Sequence, residues 1–508
     1  MLARVQSEAL SGLDSHAVAV EADVVAAAPA FTIVGLPDAA VQESRERVRT
    51  AIVNSDYEFP SRRITVNLAP ADVRKEGPSF DLPIALALLC ATGQSRCSLA
   101  GAAAIGELSL DGAIRPVAGV LAVAQSAHRR GLRALLVPSA NAREAALVTG
   151  LEVLPAATLR EAAALLAGAG GPAVERLDPE SLLAGEAVDD ADLHDVLGQS
   201  RVKRVLEVAV AGAHNLLMVG PPGSGKTMLA RRVASIMPPL SVAEAIDVTR
   251  VYSVAGMLAP DVSLVVRRPF RAPHHTISAS GLVGGGVTPR PGEVSLAHLG
   301  VLFLDEFPEF RLSALEGLRQ PLEDGEVTIS RALASLTFPA RIMLVAAMNP
   351  CPCGFRGDKG RECRCPAHRL AQYAQRLSGP LLDRIDLCID VPRLTPRDRR
   401  DHVQGESSSV VRGRVSRARA RQRLRLAPAG VSANAHLSAR GLRELCVLEP
   451  DALRALDRAY DALRLSARAC DRVTKVAQTI ADLEGSDTIR EGHVAESLSY
   501  RERSWRRS

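Results

Sequence analysis

A glycine-rich stretch at residues 220–227 has the composition of a phosphate-binding loop. It reads GPPGSGKT and fits the pattern Gly-x-x-x-x-Gly-Lys-Thr directly after an apolar run, NLLMVG. In this pattern backbone N–H groups surround phosphates, the lysine reaches the β- and γ-phosphates, and the threonine hydroxyl binds Mg²⁺. A helix that begins near the lysine would direct its positive end at the same anion. The predicted nucleotide-binding residues are Gly220, Pro221, Pro222, Gly223, Ser224, Gly225, Lys226 and Thr227.

Two acidic residues end a second apolar run, VLFLDE, at residues 301–306. We expect Asp305 to help Thr227 to hold Mg²⁺. We expect Glu306 to orient and polarise the attacking water, which is the positioning that phosphoryl transfer requires. Together the two motifs predict hydrolysis of ATP or a close relative, with ATP and Mg²⁺ as the bound cofactors.

Four of the nine cysteines lie in the fifteen-residue segment CPCGFRGDKGRECRC. This segment is short and polar, so an apolar core of its own cannot hold it together. Thiolates at Cys351, Cys353, Cys363 and Cys365 predict one closed, structural Zn²⁺ site, although Cys-x-Cys spacing is tighter than the usual two-residue gap. His368 could replace one thiolate, and four free thiols on a loop are the alternative.

The pattern of apolar residues predicts an α/β protein with about three domains in 508 residues. In the middle of the chain β-like runs alternate with helical patterns, which is typical of a parallel sheet. The last block repeats apolar residues at three- and four-residue spacing, which predicts helices. The predicted boundaries are an N-terminal domain at 1–168, a linker at 169–194, the sheet domain at 195–395 and a helical domain at 396–508.

Composition and charge are those of an ordinary globular protein, with 47% hydrophobic residues, 23% charged residues and a net charge of +5. The first 25 residues contain four acids where a secretory signal needs an apolar core. No apolar run reaches the roughly 18 residues of a membrane helix. We therefore expect a cytoplasmic protein with no membrane partner, in which clustered cysteines favour a metal over disulfides. The cysteines at positions 90, 97, 388, 446 and 470 are expected to be buried or inert.

Five blocks of the sequence resemble, in order, the magnesium-chelatase-like AAA+ proteins and, within them, the ComM/YifB subfamily. These blocks are RPFRAPHHTISASGLVGGG, PRPGEVSLAHLGVLFLDE, LRQPLEDGEVTISRA, MNPCPCG and SGPLLDRIDL. The similarity covers essentially the whole chain, with Gln478 as a departure where the subfamily usually has Arg. It implies a central AAA+ P-loop domain with a parallel sheet, followed by a C-terminal helical lid.

The same resemblance assigns roles to three further polar residues. Asn349, at the end of LVAAMNP, resembles a sensor-1 residue that contacts the γ-phosphate or the water. Arg384 in LLDRID resembles an arginine finger that reaches a neighbouring subunit's nucleotide. Arg468 in LSARACDR resembles a sensor-2 residue on the lid. A surface charge is the alternative for each arginine.

ComM-like proteins are hexameric ATPases that drive branch migration of DNA in natural transformation. The resemblance therefore implies a homo-hexamer, single-stranded or branched DNA in the central pore, and recombination proteins as further partners. The glycine-rich segment 278–295 would form the hairpin that this clade inserts into the pore. The arginine-rich stretch at 410–425 either binds phosphates or forms a solvated helix at the start of the lid.

The N-terminal domain resembles the Lon protease domain, an S5-type α+β fold, through KEGPSFDLPIALALL and GELSLDGAIRPVAGVLAVAQSAHRRGLRALLVP. Ser79 falls on the nucleophile of that family. Leu121 and Val123 occupy the positions of its lysines, and Lys75 is the nearest lysine in sequence. A serine hydroxyl without a neighbouring base is a poor nucleophile, so we predict a non-catalytic scaffold or DNA-binding collar.

Three functions are consistent with these patterns. The favoured one is an ATP-driven DNA motor. The first alternative is a magnesium-chelatase-like motor subunit that remodels a protein partner, and the second is an ATP-dependent Lon-like protease.

Overall fold

The computed structural model describes residues 1–96, 101–171, 174, 177–185, 191–259, 262–286, 289–331, 334–358, 360–394 and 405–501. The chain forms two compact units. Unit 1 contains Met1–Glu186, Ser241–Val266 and Ser330–Phe338, and unit 2 contains Ala187–Leu240, Arg267–Ile329 and Pro339–Ser508. Three predicted features lie partly or wholly outside the described residues: the linker at 172, 173, 175, 176 and 186–190, the domain boundary at 395/396, and position 97.

The described elements up to residue 185 are nine strands and six helices. The strands are β1 (Leu2–Ser11), β2 (Asp14–Val25), β3 (Ala30–Val34), β4 (Arg63–Ala69), β5 (Ala102–Ala104), β6 (Glu107–Leu108), β7 (Ile114–Arg115), β8 (Ala134–Pro138) and β9 (Glu152–Ala156). The helices are α1 (Ala39–Asn54), α2 (Asp81–Ala91), α3 (Val120–Arg129), α4 (Ala142–Ala145), α5 (Leu159–Leu166) and α6 (Pro179–Ala184).

The elements described after residue 190 continue the same numbering. The strands are β10 (Leu216–Val219), β11 (Phe270–Arg271), β12 (Gly284–Gly285), β13 (Arg290–Pro291), β14 (Val301–Leu304), β15 (Glu326–Arg331), β16 (Ala334–Pro339), β17 (Met343–Met348), β18 (Leu387–Asp390), β19 (Val447–Leu448) and β20 (Thr488–Ile489). The helices are α7 (Ser200–Gly212), α8 (Lys226–Ile236), α9 (Val242–Val254), α10 (Ala279–Val283), α11 (Glu293–Leu296), α12 (Leu312–Gly317), α13 (Arg319–Asp324), α14 (Ala367–Gln375), α15 (Gly379–Leu382), α16 (Ser408–Leu426), α17 (Ala439–Leu445), α18 (Pro450–Leu463), α19 (Ala467–Glu484) and α20 (Glu491–Ser499).

Unit 1 is built on a seven-stranded mixed sheet in the order β3-β4-β2-β1-β5-β8-β9. Strands β1 and β2 pair antiparallel from Leu2↔Asp23 to Ser11↔Asp14. Helix α2 has the sequence DLPIALALLCA and is buried along almost its whole length. A helix that is apolar on all sides must be covered on all sides, so α2 forms the centre of the core of this unit.

Unit 2 contains a five-stranded sheet in the order β11-β14-β17-β10-β18, and every pair in it is parallel. Strands β10, β14 and β17 are continuous apolar runs with every residue buried. Parallel strands covered on both faces require such runs rather than alternating polar and apolar residues. The predicted strands around 215–220, 301–307 and 341–349 and the parallel sheet are confirmed.

The arginine-rich stretch at 410–425 lies on α16. At least four of its seven arginines bind acceptors inside unit 2. Arg414 pairs with Glu207 and Glu406, Arg419 donates to the carbonyls of Val210 and Ala211, Arg421 pairs with Asp487, and Arg425 pairs with Asp482. These contacts favour a structural role for α16 over a phosphate-binding surface.

Two sequence expectations concern cysteines and membranes. Cys388 and Cys446 are buried, and Cys470 is partly buried. Cys90, near the end of α2, is disulfide-bonded, whereas the sequence predicted a buried or inert cysteine at this position and favoured no disulfides. Among the described helices, none combines the length and the apolar character needed to cross a membrane.

Candidate nucleotide site and cysteine cluster

Three strands of the unit 2 sheet end at the same edge, because neighbouring parallel strands point the same way. β10 leads into the glycine-rich loop, β14 leads into Asp305 and Glu306, and β17 leads into Asn349. In open parallel sheets this carboxyl edge is where ligands bind. The predicted phosphate loop, both predicted acids and the predicted sensor are therefore brought together.

The phosphate loop begins α8 at Lys226. Gly223 and Gly225 have φ angles of 76° and 90°, a left-handed conformation that side chains other than glycine adopt at a cost. The Lys226 ammonium is largely buried and donates to the carbonyls of Gly220 (2.8 Å) and Pro221 (3.0 Å) and to Oδ1 of Asn349 (3.3 Å). Burial lowers the pKa of Lys226, and the charge of Asp305 opposes that change.

Thr227 and Asp305 form a hydroxyl–carboxylate pair beside this lysine. Oγ1 of Thr227 donates to Oδ2 of Asp305 at 2.6 Å, and Oδ1 of Asp305 accepts from the backbone N–H of Glu306 at 2.9 Å. Hydroxyl and carboxylate oxygens are the protein ligands that Mg²⁺ takes beside substrate phosphates. The residues present fit the predicted Mg²⁺ site.

Glu306 is held by a histidine. Its Oε2 lies 3.1 Å from Nδ1 of His275, and its backbone has a left-handed φ of 52°. Such a conformation costs about 1–3 kcal/mol in a residue other than glycine and persists only when its surroundings impose it. No sequence pattern assigned His275 a role beside Glu306, so this partner was missed.

A cavity of about 690 Å³ opens at this sheet edge. Its volume lies in the range of small-molecule and cofactor sites. Six predicted loop residues, from Pro222 to Thr227, line it together with Asp305, Glu306 and Asn349. The other lining residues are Met228, Ala272, Pro273, His274, His275, Phe303 and Met348.

Gln199 supports the phosphate loop from outside the cavity. Its Nε2 donates to the carbonyl of Ser224 at 3.0 Å, and its own φ is 52°. A glutamine before a helix carries no sequence signal for this role, so only the structure reveals it.

The two predicted arginines lie away from the cavity of their own chain. Arg384 pairs with Glu323 and donates to the carbonyl of Pro380 at 2.8 Å. Arg468 is exposed in the first turn of α19. The sheet edge does not bring either residue to the phosphate loop, and their roles stay predictions.

The four clustered cysteines converge. The Sγ atoms of Cys351, Cys353 and Cys363 are 3.4–3.7 Å apart, and all four, with Cys365, lie within 4.8 Å of one another. Four sulfurs around one Zn²⁺ at about 2.3 Å would be about 3.8 Å apart, so the donor set fits a tetrahedral ion. His368 is exposed and is not part of this group.

Unit 1 does not pair Ser79 with the nearest lysine. The Lys75 ammonium is fully buried and donates to the carbonyl of Pro70, and burial lowers its pKa. Leu121 and Val123 are buried on α3. Aliphatic side chains cannot accept a proton, so these positions supply no base.

The glycine-rich segment at 278–295 contains a short hairpin within unit 2. Strands β12 and β13 pair antiparallel through Gly284↔Pro291 and Gly285↔Arg290. Positions 287 and 288 lie outside the described residues. The φ angles of Gly284, Gly285 and Gly286 are 110°, 146° and 108°, which explains the glycine requirement here.

Family models of a magnesium chelatase subunit match three consecutive parts of the chain. They are described as subunit ChlI of Mg-chelatase (residues 20–141), magnesium chelatase, subunit ChlI (residues 192–399) and magnesium chelatase, subunit ChlI C-terminal (residues 405–501). This family implies ATP and Mg²⁺ as ligands.

Individual relatives extend over the full length. YifB of Salmonella typhimurium is 44% identical over 502 residues, which is 98% of this chain and 97% of that protein. The competence protein ComM of Haemophilus influenzae is 43% identical over 506 residues, with the same two shares. A Lon protease of Chloroflexus aurantiacus is 33% identical over 131 residues, 24% of this chain and 16% of that protein. The chain therefore belongs to the ComM/YifB subfamily of magnesium-chelatase-like AAA+ proteins.

Proposed function

We propose that this protein hydrolyses ATP and, as a homo-hexamer, uses that energy to migrate DNA branches during the recombination of incoming DNA. The observation that carries the ATPase part is the single sheet edge that joins Lys226, the Thr227–Asp305 pair, Glu306 and Asn349 around one cavity. The DNA part is supported by the name of the Haemophilus relative, a competence protein, and by the glycine-rich hairpin.

Each polar residue of the cavity has a separate role in the proposed hydrolysis. Lys226 would exchange its backbone carbonyl partners for the phosphates of ATP. Thr227 and Asp305 would hold Mg²⁺, which when bound neutralises the negative charge of the phosphates. Glu306 would orient the attacking water, and Asn349 would contact that water or the γ-phosphate.

Two arginines complete the proposed site in the assembled ring. Arg384 would reach the nucleotide of the neighbouring subunit, where an arginine can accelerate hydrolysis by about 10³–10⁵-fold. Arg468 would contact the nucleotide from the lid at 396–508. We further propose that the domain at 1–168 is non-catalytic, since Lys75, Leu121 and Val123 supply Ser79 with no base.

Zn²⁺ is the metal that we propose for the cysteine cluster. Four thiolates leave no open coordination position, so the ion would be structural rather than catalytic. It would hold the segment between Asn349 and the helix that leads to Arg384.

The function is tested by ATP-dependent migration of a labelled three- or four-way DNA junction. Lys226→Ala should abolish both migration and hydrolysis, because the β- and γ-phosphates lose their cation. Lys203→Ala is the matched control, since Lys203 binds the carbonyl of Val196 outside the cavity.

The alternatives give different results in the same preparation. An ATPase that moves no junction and is indifferent to DNA would contradict the motor and favour a chelatase-like remodeller of a protein partner. ATP-dependent degradation of casein would contradict the non-catalytic unit 1 and favour the protease.

A further inference from the structure

The cysteine segment packs directly against the phosphate loop. Gly354 has a φ of 84°, and a methyl group added to it would lie 2.5 Å from Cδ and 2.8 Å from Cγ of Pro222. Real carbon contacts are not this short, so the Gly354 backbone touches the ring of Pro222 with no space between them. A shift of this segment must therefore move the phosphate loop or leave a gap beside it.

A stacked group of side chains makes a second link to the same proline. The ring of Phe355 lies 4.7 Å from the guanidinium of Arg361 and 5.5 Å from that of Arg393. Arg393 also donates to the carbonyl of Pro222 at 3.5 Å and pairs with Asp358 at 3.3 Å. Pro222 is thus contacted on its ring by Gly354 and on its carbonyl by a side chain that Phe355 and Asp358 position.

A third link reaches the end of β17. The hydroxyl of Tyr373, on the helix that follows the cysteines, donates to the backbone carbonyl of Asn349 at 3.0 Å. Tyr373 is largely buried. The side chain of Asn349 accepts from Lys226, so the cysteine segment and the helix that follows it both contact residues that line the cavity.

The cysteine segment has no regular secondary structure of its own. Its described residues, 351–358 and 360–365, contain no helix or strand, and most of their side chains are exposed or half-buried. Fixing the backbone of such a segment costs conformational entropy, and a metal bound by four thiolates can supply the free energy that offsets this cost.

We propose that metal binding by the cysteine cluster controls the nucleotide affinity of the phosphate loop. With the metal bound, Gly354 and Phe355 hold Pro222 and the loop is ready for phosphate. Without it the loop samples other conformations, and the apparent affinity falls in proportion to the fraction of competent molecules. This inference rests on the proposed ATP site and Zn²⁺ site and adds regulation of the first by the second.

The test measures nucleotide affinity in the full-length chain, with zinc content determined in the same samples. The ligand is a fluorescent N-methylanthraniloyl ATP. In the double variant Cys363→Ser with Cys365→Ser we expect loss of zinc and affinity about tenfold weaker, as for a loop that is competent in a tenth of the molecules. Cys470→Ser is the control, because Cys470 is a free cysteine outside the cluster.

A pair of glycine variants tests the contact between Gly354 and Pro222 without changing the cysteines. Gly354→Ala keeps all four thiols and should keep zinc, yet it should bind the analogue more weakly because the new methyl group meets Pro222. Gly357→Ala is its matched control: Gly357 has a similar φ of 78° but open space around its Cβ position. It should bind like the unaltered chain.

Three results would overturn the inference: a chain purified without zinc that does not take it up, unchanged affinity in the zinc-free double variant, or equal affinities of the two glycine variants. Lys226→Ala separately tests the proposed nucleotide site on which this inference rests. If that variant binds the analogue as tightly as the unaltered chain, the proposed nucleotide site itself is wrong.

Discussion

Glu144 carries a carboxyl group in the interior of unit 1. It is 5% exposed, and its Oε1 accepts from Nδ2 of Asn141 at 2.9 Å. Burial disfavours the charged form and raises the pKa of Glu144 from 4.5 to about 7, against the opposing effect of the Asn141 hydrogen bond. The side chain therefore changes charge in the folded protein at neutral pH, although it lies outside the nucleotide site.

Glu144→Gln is expected to remove a pH dependence of stability. A pKa raised by folding favours the folded state fully below about pH 4.5, and this contribution is lost as the pH rises through 7. The variant, which stays neutral, should match the unaltered chain near pH 4.5 and be more stable at pH 8. The rise in pKa corresponds to at most about 3 kcal/mol.

Urea unfolding followed by circular dichroism at both pH values measures this difference. Glu46→Gln is the control, because Glu46 is exposed on α1 and should change stability equally at both pH values. If the free energy of unfolding changes with pH equally in Glu144→Gln and in the unaltered chain, ionisation of the Glu144 carboxyl group does not destabilise the folded state.

At the scale of elements, a buried network of polar side chains connects the segment between α16 and α17, helix α19, the start of β10 and the residues before β18. Thr479 Oγ1 accepts from Nδ2 of Asn434 at 2.9 Å and lies 2.8 Å from Nε2 of His214. Nδ1 of His214 lies 3.6 Å from Asp386, which accepts from the backbone N–H of Asn215 at 3.1 Å. Burial opposes ionisation of Asp386, yet the contact with His214 holds its pKa below the ordinary value.

Thr479→Val should destabilise unit 2 more than the same change at Thr474. Valine removes the buried hydroxyl that Asn434 Nδ2 and His214 Nε2 contact, and the loss of a buried hydrogen-bond partner costs about 1–3 kcal/mol. Thr474 lies on the same helix and its hydroxyl bonds only the helix's own carbonyl, of Cys470 at 3.0 Å, so Thr474→Val is a matched control. The urea midpoints of unfolding compare the two variants. Equal midpoints would show that the contacts of the Thr479 hydroxyl with Asn434 and His214 add nothing to stability.

Elements with strong local patterns could be predicted from the sequence. The apolar runs around β10, β14 and β17, the glycine-rich loop and the paired Cys-x-Cys motifs each carry their signal within a few residues. Their meeting at one sheet edge follows from parallel pairing. The contacts of Gln199, His275, Tyr373 and Arg393 could not be predicted, because each joins segments far apart in sequence and its residue type is common at positions without such a role.

At the scale of the whole molecule, the proposed ring divides each active site between two chains. Arg384 pairs with Glu323 and lies apart from the cavity of its own chain, which suits a side chain that acts on a neighbour. A head-to-tail ring repeats one such interface around its axis, so each chain gives its arginine to one neighbour and receives one from the other.

Mixing two inactive variants tests this division. Arg384→Ala keeps an intact phosphate loop, and Lys226→Ala keeps an intact arginine, so an interface between the two restores one complete site. In a random equal mixture, half of the phosphate loops are intact and half of the neighbouring chains carry Arg384. About a quarter of the sites are therefore complete, and we expect roughly a quarter of the unaltered hydrolysis rate from such a heterologous ring. Phosphate release measures the recovery.

Arg376→Ala is the control, since Arg376 pairs with Glu309 on the surface and should leave the rate of the unmixed chain unchanged. An arginine that served its own chain's nucleotide would give no recovery, because every mixed interface would still lack one of the two groups.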